Sequence, residues 1–305
     1  MAAKRCAVRM LACALGVAAA ISSPQFATAG DSGRAKARNA ARMTQPAVAA
    51  AEATPNLKSA AVLVFDLDNS STVYGKNTQS ITPIASITKL MTAMVVLDAG
   101  LPMQEMVYVD RADYDSLKHT NSRLRAGLGL TRHDMLRLAL MSSENRAAAA
   151  LGRDYPGGSG AFVDAMNRKA VELGMWNTRF VDPTGLSSEN VSTAEDLVKM
   201  VKAAYQYPLI REFTTTPAHE VATANGRSMQ FSNSNRLVKN PTWDIGLSKT
   251  GYISEAGRCL VMQARIAARS VVIVLLDSWG KYTRIGDANR IKKWLESTLA
   301  RKPLG

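Results

Sequence analysis

Residues 83–99 constrain this chain more than any other stretch. Pro83-Ile84-Ala85-Ser86-Ile87-Thr88-Lys89-Leu90 opens a segment in which Ile87, Leu90, Met91, Ala93, Met94, Val95, Val96 and Leu97 leave no polar face. Pro83 before it and Gly100 after it are helix start and stop signals. A helix that is apolar all round belongs inside a domain. Yet it carries Lys89, a residue type almost never buried unless it is paired. Ser86 stands three residues earlier, on the same helical face. A hydroxyl near a helix start, with a desolvated amine one turn on, is a nucleophile beside its base. The four residues alone also admit an N-capping serine and a snorkelling lysine. Ser278-Trp279-Gly280-Lys281 repeats their form at the end of a strand-like run. Context has to separate the two copies.

The first 29 residues read as an export signal. Lys4, Arg5 and Arg9 form a positive start, Met10 to Ala20 is a short apolar run, and Ala27-Thr28-Ala29 is a small-residue cleavage site. The run is short for a transmembrane helix, and too little apolar sequence precedes Cys13 for a lipid-attachment site. Residues 30–56, polar and basic and then rich in Ala and Pro, read as a disordered linker. Residues 57–305 remain as one catalytic domain. Cleavage removes three of the 38 basic residues and none of the 25 acidic ones, so the mature chain stays basic. No stretch interleaves aromatics with clustered Lys and Arg as a nucleic-acid groove does, which leaves a solvated basic surface or weak attraction to an anionic envelope. Cys6 and Cys13 leave with the signal, so Cys259 has no partner for an internal disulfide.

From Ala60 the pattern turns regular. Ala60 to Asp66 is a strand, Asp68 to Ser71 a turn and Thr72 to Tyr74 a returning strand. Residues 101–210 read as largely helical, with helices at Arg132 to Leu140 and Ala161 to Leu173. Ser192-Thr193-Ala194-Glu195 forms a capping box for a helix through Ala204. Strands follow at Leu247 to Ile253, Arg258 to Ile266 and Ser270 to Asp277. Ile285 to Leu299 is an amphipathic helix suited to packing on them. Strands at both ends with helices between them predict an α/β (α+β) fold. One antiparallel sheet is completed by the C-terminal part, is flanked by helices and carries a helical insertion.

Two further motifs follow Ser86 at domain-scale spacing: Ser143-Glu144-Asn145, then Lys249-Thr250-Gly251. Ser-x-x-Lys, a Ser-x-Asn element and Lys-Thr-Gly, in that order, are the signature of serine β-lactamases and penicillin-binding proteins. Ser-x-Asn also has a second copy, Ser188-Glu189-Asn190, but that one follows the turn Asp182-Pro183-Thr184-Gly185. Ser143 and Asn145 follow a helix that can hold them. Acyl transfer needs a nucleophile (Ser86), a base (Lys89), a proton route to the leaving amine (Ser143) and donors for the oxyanion. A lysine titrates ordinarily near 10.4. Burial, together with Lys249 as a second cation, is expected to depress Lys89. Asn145 is placed to hold a substrate amide, and Gly251 leaves room for a substrate to lie against a strand. His119, His133 and His219 have no Gly-x-Ser-x-Gly elbow to serve; Gly157-Gly158-Ser159-Gly160 reads as a loop. There is no His-Glu-x-x-His motif and no phosphate loop, so no cofactor and no metal are expected.

At these residues the chain resembles the low-molecular-mass penicillin-binding proteins, the D-alanyl-D-alanine peptidases. The resemblance runs from about Asn56 to Glu296. It rests on Ser86-Ile87-Thr88-Lys89, on Phe180 to Leu186, on Ser192 to Leu197, on Asn233 to Leu237 and on Lys249-Thr250-Gly251. Ser122-Arg123-Leu124-Arg125 with Leu140 to Ala148 is similar, more narrowly, to the endopeptidases of the penicillin-binding protein 7 type. The resemblance implies the β-lactamase/DD-peptidase-like fold, with the site between sheet and helices. It implies an oxyanion hole from the backbone N–H groups of Ser86 and Tyr252. It also implies that Arg284 lies near the substrate carboxylate, which Lys249 and Thr250 bind. Larger carboxypeptidases of the family add a β-rich domain and a membrane-anchoring helix. With 54 residues after Gly251, neither is expected here.

The resulting expectation is a periplasmic serine peptidase that cuts D-alanyl cross-links between peptidoglycan stem peptides and is acylated by β-lactam antibiotics. It would bind no nucleic acid and keep no integral membrane segment after signal cleavage. D-alanyl-D-alanine carboxypeptidase is the nearest alternative. A class A β-lactamase would need a further glutamate for its deacylating water; Glu172, Glu189 and Glu195 are the candidates, and none begins a Glu-x-x-Leu-Asn run. A non-catalytic envelope scaffold would need none of the three motifs. The export reading predicts that protein recovered from the envelope begins at Gly30. N-terminal sequencing checks this, and a retained Met1 or a lipidated Cys13 overturns it.

Overall fold

Five strands carry the fold in the computed structural model, which describes residues 54–222 and 228–300, the side chains of 299 and 300 excepted. The expected signal, and the linker up to residue 53, lie outside the described residues. β1 (Ser59–Asp66) and β2 (Ser71–Lys76) form the hairpin expected near the start. β3 (Asp244–Ile253), β4 (Gly257–Ile266) and β5 (Arg269–Ser278) form the late antiparallel run. The sheet order is β2-β1-β5-β4-β3, every neighbour antiparallel. The C-terminal strands thus complete a sheet that the N-terminal hairpin begins, with Val64 opposite Ile273.

Successive side chains on a strand point to opposite faces, and here each face has its own core. Ala61, Leu63, Val261, Val272, Val274 and Leu276 pack on the helical side. Val62, Val64, Leu260, Met262, Ile273 and Leu275 pack on the other. Strands covered on both faces read as continuous apolar runs, which is why Val271 to Leu276 is unbroken. The helices are α1 (Lys89–Asp98), α2 (Arg132–Met141), α3 (Asn145–Arg153), α4 (Gly158–Glu172), α5 (Ala194–Ala204), α6 (Pro208–Thr215) and α7 (Thr283–Ala300). α1 is buried without a break from Lys89 to Val96, as its apolar circumference requires. α7 covers the opposite face through Ala288, Ile291 and Leu295, with Leu57, Leu237 and Trp243 beside it. Among the described residues, no helix is long and apolar enough to cross a membrane.

Several local expectations shift. The start of the first helix is a 3-10 turn, Ala85–Thr88, so Ser86 precedes α1 rather than lying within it. Pro83 pairs with Val191 in a two-residue bridge instead of opening the helix. α5 is capped by Thr193, whose hydroxyl accepts from Asp196 N, and not by Ser192 with Glu195. Glu195 instead accepts from Thr78 Oγ1 at 2.7 Å. Gly157-Gly158-Ser159-Gly160 starts α4, with Gly157 at φ 87°, rather than forming a loop. A hairpin of Ala218–Ala222 and Ser228–Ser232 also stands where no strand was anticipated.

One buried carboxylate ties the two ends of the domain. Asp287 on α7 accepts from Lys58 N at 3.1 Å, Ser59 N at 2.7 Å and Ser59 Oγ at 2.6 Å. Asp287→Ala removes this acceptor and leaves the buried Ser59 N–H without it, at a cost of about 1–3 kcal/mol. Urea unfolding is expected to show that loss, with penicillin acylation retained by the folded fraction.

Candidate active site

The loop after α4 makes the floor of the site. Asp182 accepts from Thr184 N at 2.6 Å, Gly185 N at 2.8 Å and Ser187 N at 3.1 Å. Its partner is Asn190, whose Oδ1 accepts from Val181 N and whose Nδ2 donates to Thr88 Oγ1 at 3.1 Å. Asn190 O takes the Ile84 N–H at 3.0 Å. The second Ser-x-Asn copy therefore braces the turn that carries Ser86. Gly185, at φ 79°, lies directly under that turn; a Cβ there would sit 2.0 Å from Ala85 O. The turn is itself held in an unusual conformation, with Ala85 at φ 48°.

On this floor sits Lys89, fully buried. Its Nζ lies 2.8 Å from Ser86 Oγ, 2.7 Å from Asn145 Oδ1 and 2.6 Å from Thr184 O. Burial pushes its pKa down to about 7, while the Asp182 and Glu144 carboxylates pull the other way. Asn145 is the first residue of α3, so a helix start fixes it. Its Nδ2 donates to Thr120 Oγ1 at 3.0 Å, and Thr120 Oγ1 donates to Asp115 Oδ2 at 2.7 Å.

Ser143 occupies the turn between α2 and α3 at φ 63°. A non-glycine residue held there is strained, a condition found at functional sites. Its Oγ accepts from Lys249 Nζ at 2.8 Å. Lys249 Nζ also donates to Thr250 O at 3.0 Å. Lys249 is pushed well below the ordinary lysine range by burial, then by the Lys89 and Arg284 charges. Repulsion between the two buried amines opposes charging both at once, and the Asp182 and Glu144 carboxylates favour the proton on Lys89.

β3 forms the remaining wall. Thr250 Oγ1 donates to Ser234 Oγ at 2.7 Å. Gly251 packs on the nucleophile turn; a Cβ there would lie 2.9 Å from Ile84 O and 3.1 Å from Ser86 N. Only a residue without a side chain lets the strand come this close. The Tyr252 ring is exposed and sits beneath the Arg258 guanidinium, 4.3 Å from its centroid. Arg284 Nη1 donates to Gly251 O at 2.8 Å and Cys259 O at 3.2 Å, and burial lowers its pKa to about 10. It therefore grips the strand that carries Lys249-Thr250-Gly251.

The residues outside this cluster have other partners. Ser278 lies 2.6 Å, Oγ to Oγ, from Ser59, remote from any lysine bond of this kind. His133 and His219 flank the Asp134 carboxylate at 3.7 Å and 3.5 Å. Cys259 is buried, and burial pushes its thiol up to about 11. Two contributors escaped the sequence reading: Thr120 and Asp115. Asp115-Ser116 carries an Asx-turn signal, but nothing in it points to Asn145.

A family model described as D-alanyl-D-alanine carboxypeptidase matches residues 47–279. A D-alanyl-D-alanine endopeptidase of Pseudomonas aeruginosa is 50% identical over 242 residues, which is 79% of this chain and 78% of that protein. The D-alanyl-D-alanine endopeptidase of Escherichia coli is 47% identical over 256 residues, 84% of this chain and 83% of that one. The crystal structure of the Streptomyces K15 DD-transpeptidase superposes with a TM-score of 0.73 at 28% identity, over 79% of this chain and 98% of that one. With a site of this composition and matches over most of its length, the chain belongs to the D-alanyl-D-alanine carboxypeptidase family of serine peptidases.

Proposed function

We propose that this protein is a serine D-alanyl-D-alanine endopeptidase, cleaving D-alanyl cross-links of peptidoglycan through an acyl-enzyme and acylated by penicillin in the same way. The observation that carries the reading is a fully buried lysine amine, titrating at about 7, within 2.8 Å of a serine hydroxyl. The two relatives near half identity are both endopeptidases, which favours cross-linked substrates. We place the enzyme in the periplasm, exported by residues 1–29.

Asn145 Oδ1 and Thr184 O are acceptors only. A neutral Lys89 gives its two N–H bonds to them, and its lone pair then faces the Ser86 hydroxyl. As Ser86 Oγ attacks the carbonyl carbon of the D-alanine, Lys89 takes its proton. The oxyanion sits between the backbone N–H groups of Ser86 and Tyr252, on strand and turn held together at Gly251. The C–N bond then breaks, and Ser143 delivers a proton to the leaving nitrogen; the proton that Lys89 took from Ser86 passes on by way of Lys249 to refill Ser143. Water hydrolyses the ester and restores Ser86. The leaving side carries a carboxylate on a D-centre, and Lys249, Thr250 and Arg284 supply positive charge and a hydroxyl for it.

Carboxypeptidase action is the second reading, since the family description names it and the leaving groups are alike. A β-lactamase is disfavoured. Glu172 and Glu189 are exposed, and Glu195 is bonded to Thr78, so none of the three is set beside Ser86.

Two outcomes test the proposal. Purified dimeric muropeptides should fall to monomers faster than pentapeptides lose terminal D-alanine; the opposite ranking makes the enzyme a carboxypeptidase. Acylation by penicillin should rise as pH passes upward through about 7, where Lys89 loses its proton. Lys89→Arg, with thermal unfolding used to verify its fold, should lose on the order of a hundred- to ten-thousand-fold in acylation rate, because a guanidinium stays protonated. A folded variant reacting at nearly the wild-type rate would pass the base role to Lys249 or water.

A further inference from the structure

The end of the sheet beside the site carries exposed aromatic rings flanked by cations. Tyr252 on β3 pairs with Arg258 on β4, and Arg258 pairs with Ser278 on β5, which Trp279 follows. Tyr252 is 56% exposed, Tyr282 55% and Trp279 89%. The Arg258 guanidinium covers the Tyr252 ring; Arg236 and Lys281 lie 5.4 Å and 5.6 Å from the Tyr282 centroid. Water-facing Trp and Tyr beside Arg form the composition of binding hot spots rather than of a solvated surface. Nothing in the stability of the sheet calls for Trp279 to stand in water.

The patch is continuous with the proposed site. Arg284, two residues after Tyr282, holds Gly251 O. Ser234, two residues before Arg236, holds Thr250 Oγ1. A polymer whose stem peptide is cut at Ser86 then has these rings within reach of its remaining bulk. Three chemistries compete for them. A bilayer surface also accepts Trp, Tyr and basic residues, but it has no part in the continuity of this patch with the site. A stem peptide is already served by the open edge of β3. A glycan offers pyranose C–H faces, which pack on aromatic rings, and the peptides hanging from it bring carboxylates for the cations.

We infer that Tyr252, Trp279 and Tyr282, with Arg236, Arg258 and Lys281, form a docking surface for the glycan strand of peptidoglycan, a chain of N-acetylated amino sugars. The inference rests on the proposed endopeptidase reading and deepens it. The surface holds the polymer while the neighbouring site cuts its cross-link.

The test uses the mature chain, a Trp279→Ala/Tyr282→Ala variant and, as a control, Trp176→Ala, which removes a ring that is 73% exposed on the loop after α4. Calorimetric titration with glycan strands stripped of peptide should show the double variant weakened about ten-fold, the control unchanged. Cleavage of intact sacculi should fall in parallel. Penicillin acylation and cleavage of sugar-free cross-linked peptides should stay at the wild-type level. Equal glycan binding by wild type and double variant, or none by the wild type, overturns the inference. So does an equal loss on sugar-free peptides, which makes the patch a peptide site. A loss confined to binding of phosphatidylglycerol vesicles also overturns it and makes the patch a lipid site. Failure of the endopeptidase reading shows separately, as a wild type that forms no penicillin adduct and cuts neither substrate.

Discussion

The structure depends on a lysine amine kept out of water. Moving Lys89 from the ordinary 10.5 to about 7 means that keeping its ammonium charged costs on the order of 5 kcal/mol. The unfolded chain binds this proton below about 10.5, the folded one only below about 7. Stability from this residue is therefore complete above the upper value and is lost progressively as pH falls toward the lower one. That loss is a large share of the 5–15 kcal/mol that hold a typical domain together. The neighbourhood limits it with geometry: Ser86, Asn145 and Thr184 each present an oxygen within 2.8 Å. Those oxygens come from three separated parts of the chain, so the fold has to deliver all three before the amine is tolerable.

That delivery explains the strained backbone around the site. Ala85 and Ser143 adopt left-handed φ angles although neither is glycine. Such conformations persist only where surrounding structure over-determines them. Ala85 is clamped from below by the Asp182–Asn190 loop, which accepts the Ile84 N–H and slides Gly185 under its carbonyl. Ser143 is clamped between the ends of α2 and α3, where Glu144 N bonds back to Leu138 O. The tension sits in the two turns that aim the hydroxyls, and the helices on either side stay regular.

Much of this was legible in the chain. Lys89 stood out because a charged residue interrupts an otherwise apolar helix, and β1, β4 and β5 because two-sided burial demands apolar runs. The order of the three motifs separated Ser86 from Ser278, and the helix ahead of Ser143 separated it from Ser188, which follows a turn. What stayed hidden depends on contacts between distant residues or on backbone angles. Thr120 holds Asn145 across 25 positions of chain, and its sequence neighbours give it no distinguishing pattern. The β4–β5 turn uses Ala267 and Ala268 at φ 49° and 65°, positions where turn rules look for Asn or Gly. Only the strands on either side revealed it. The cap of α5 went to Thr193 rather than Ser192 because the Ser192 hydroxyl is engaged by Thr178 at 2.7 Å. Local signals named a capping sequence, and tertiary bonding chose the residue.

The position of the site on an edge strand follows from the same economy of contacts. An open edge invites pairing with other chains, and proteins ordinarily cover it. β3 is covered along its first half: Ser248 Oγ meets Thr214 O of α6 at 3.5 Å, and Gly246 is packed so tightly on Tyr205 that a Cβ would lie 2.7 Å from the ring. Its second half, Lys249 to Ile253, runs instead beside the nucleophile turn. There Gly251 brings the backbones together and Arg284 anchors the strand through the Gly251 carbonyl. An extended peptide laid along this half completes the edge with its own backbone, and its scissile amide then lies beside Ser86. The residue that opens this half of the edge, Gly251, is also the one that aligns strand with nucleophile. A side chain at that position would push the two walls of the site apart and separate the Lys249–Ser143 pair from the Lys89–Ser86 pair, whose joint burial makes the chemistry possible.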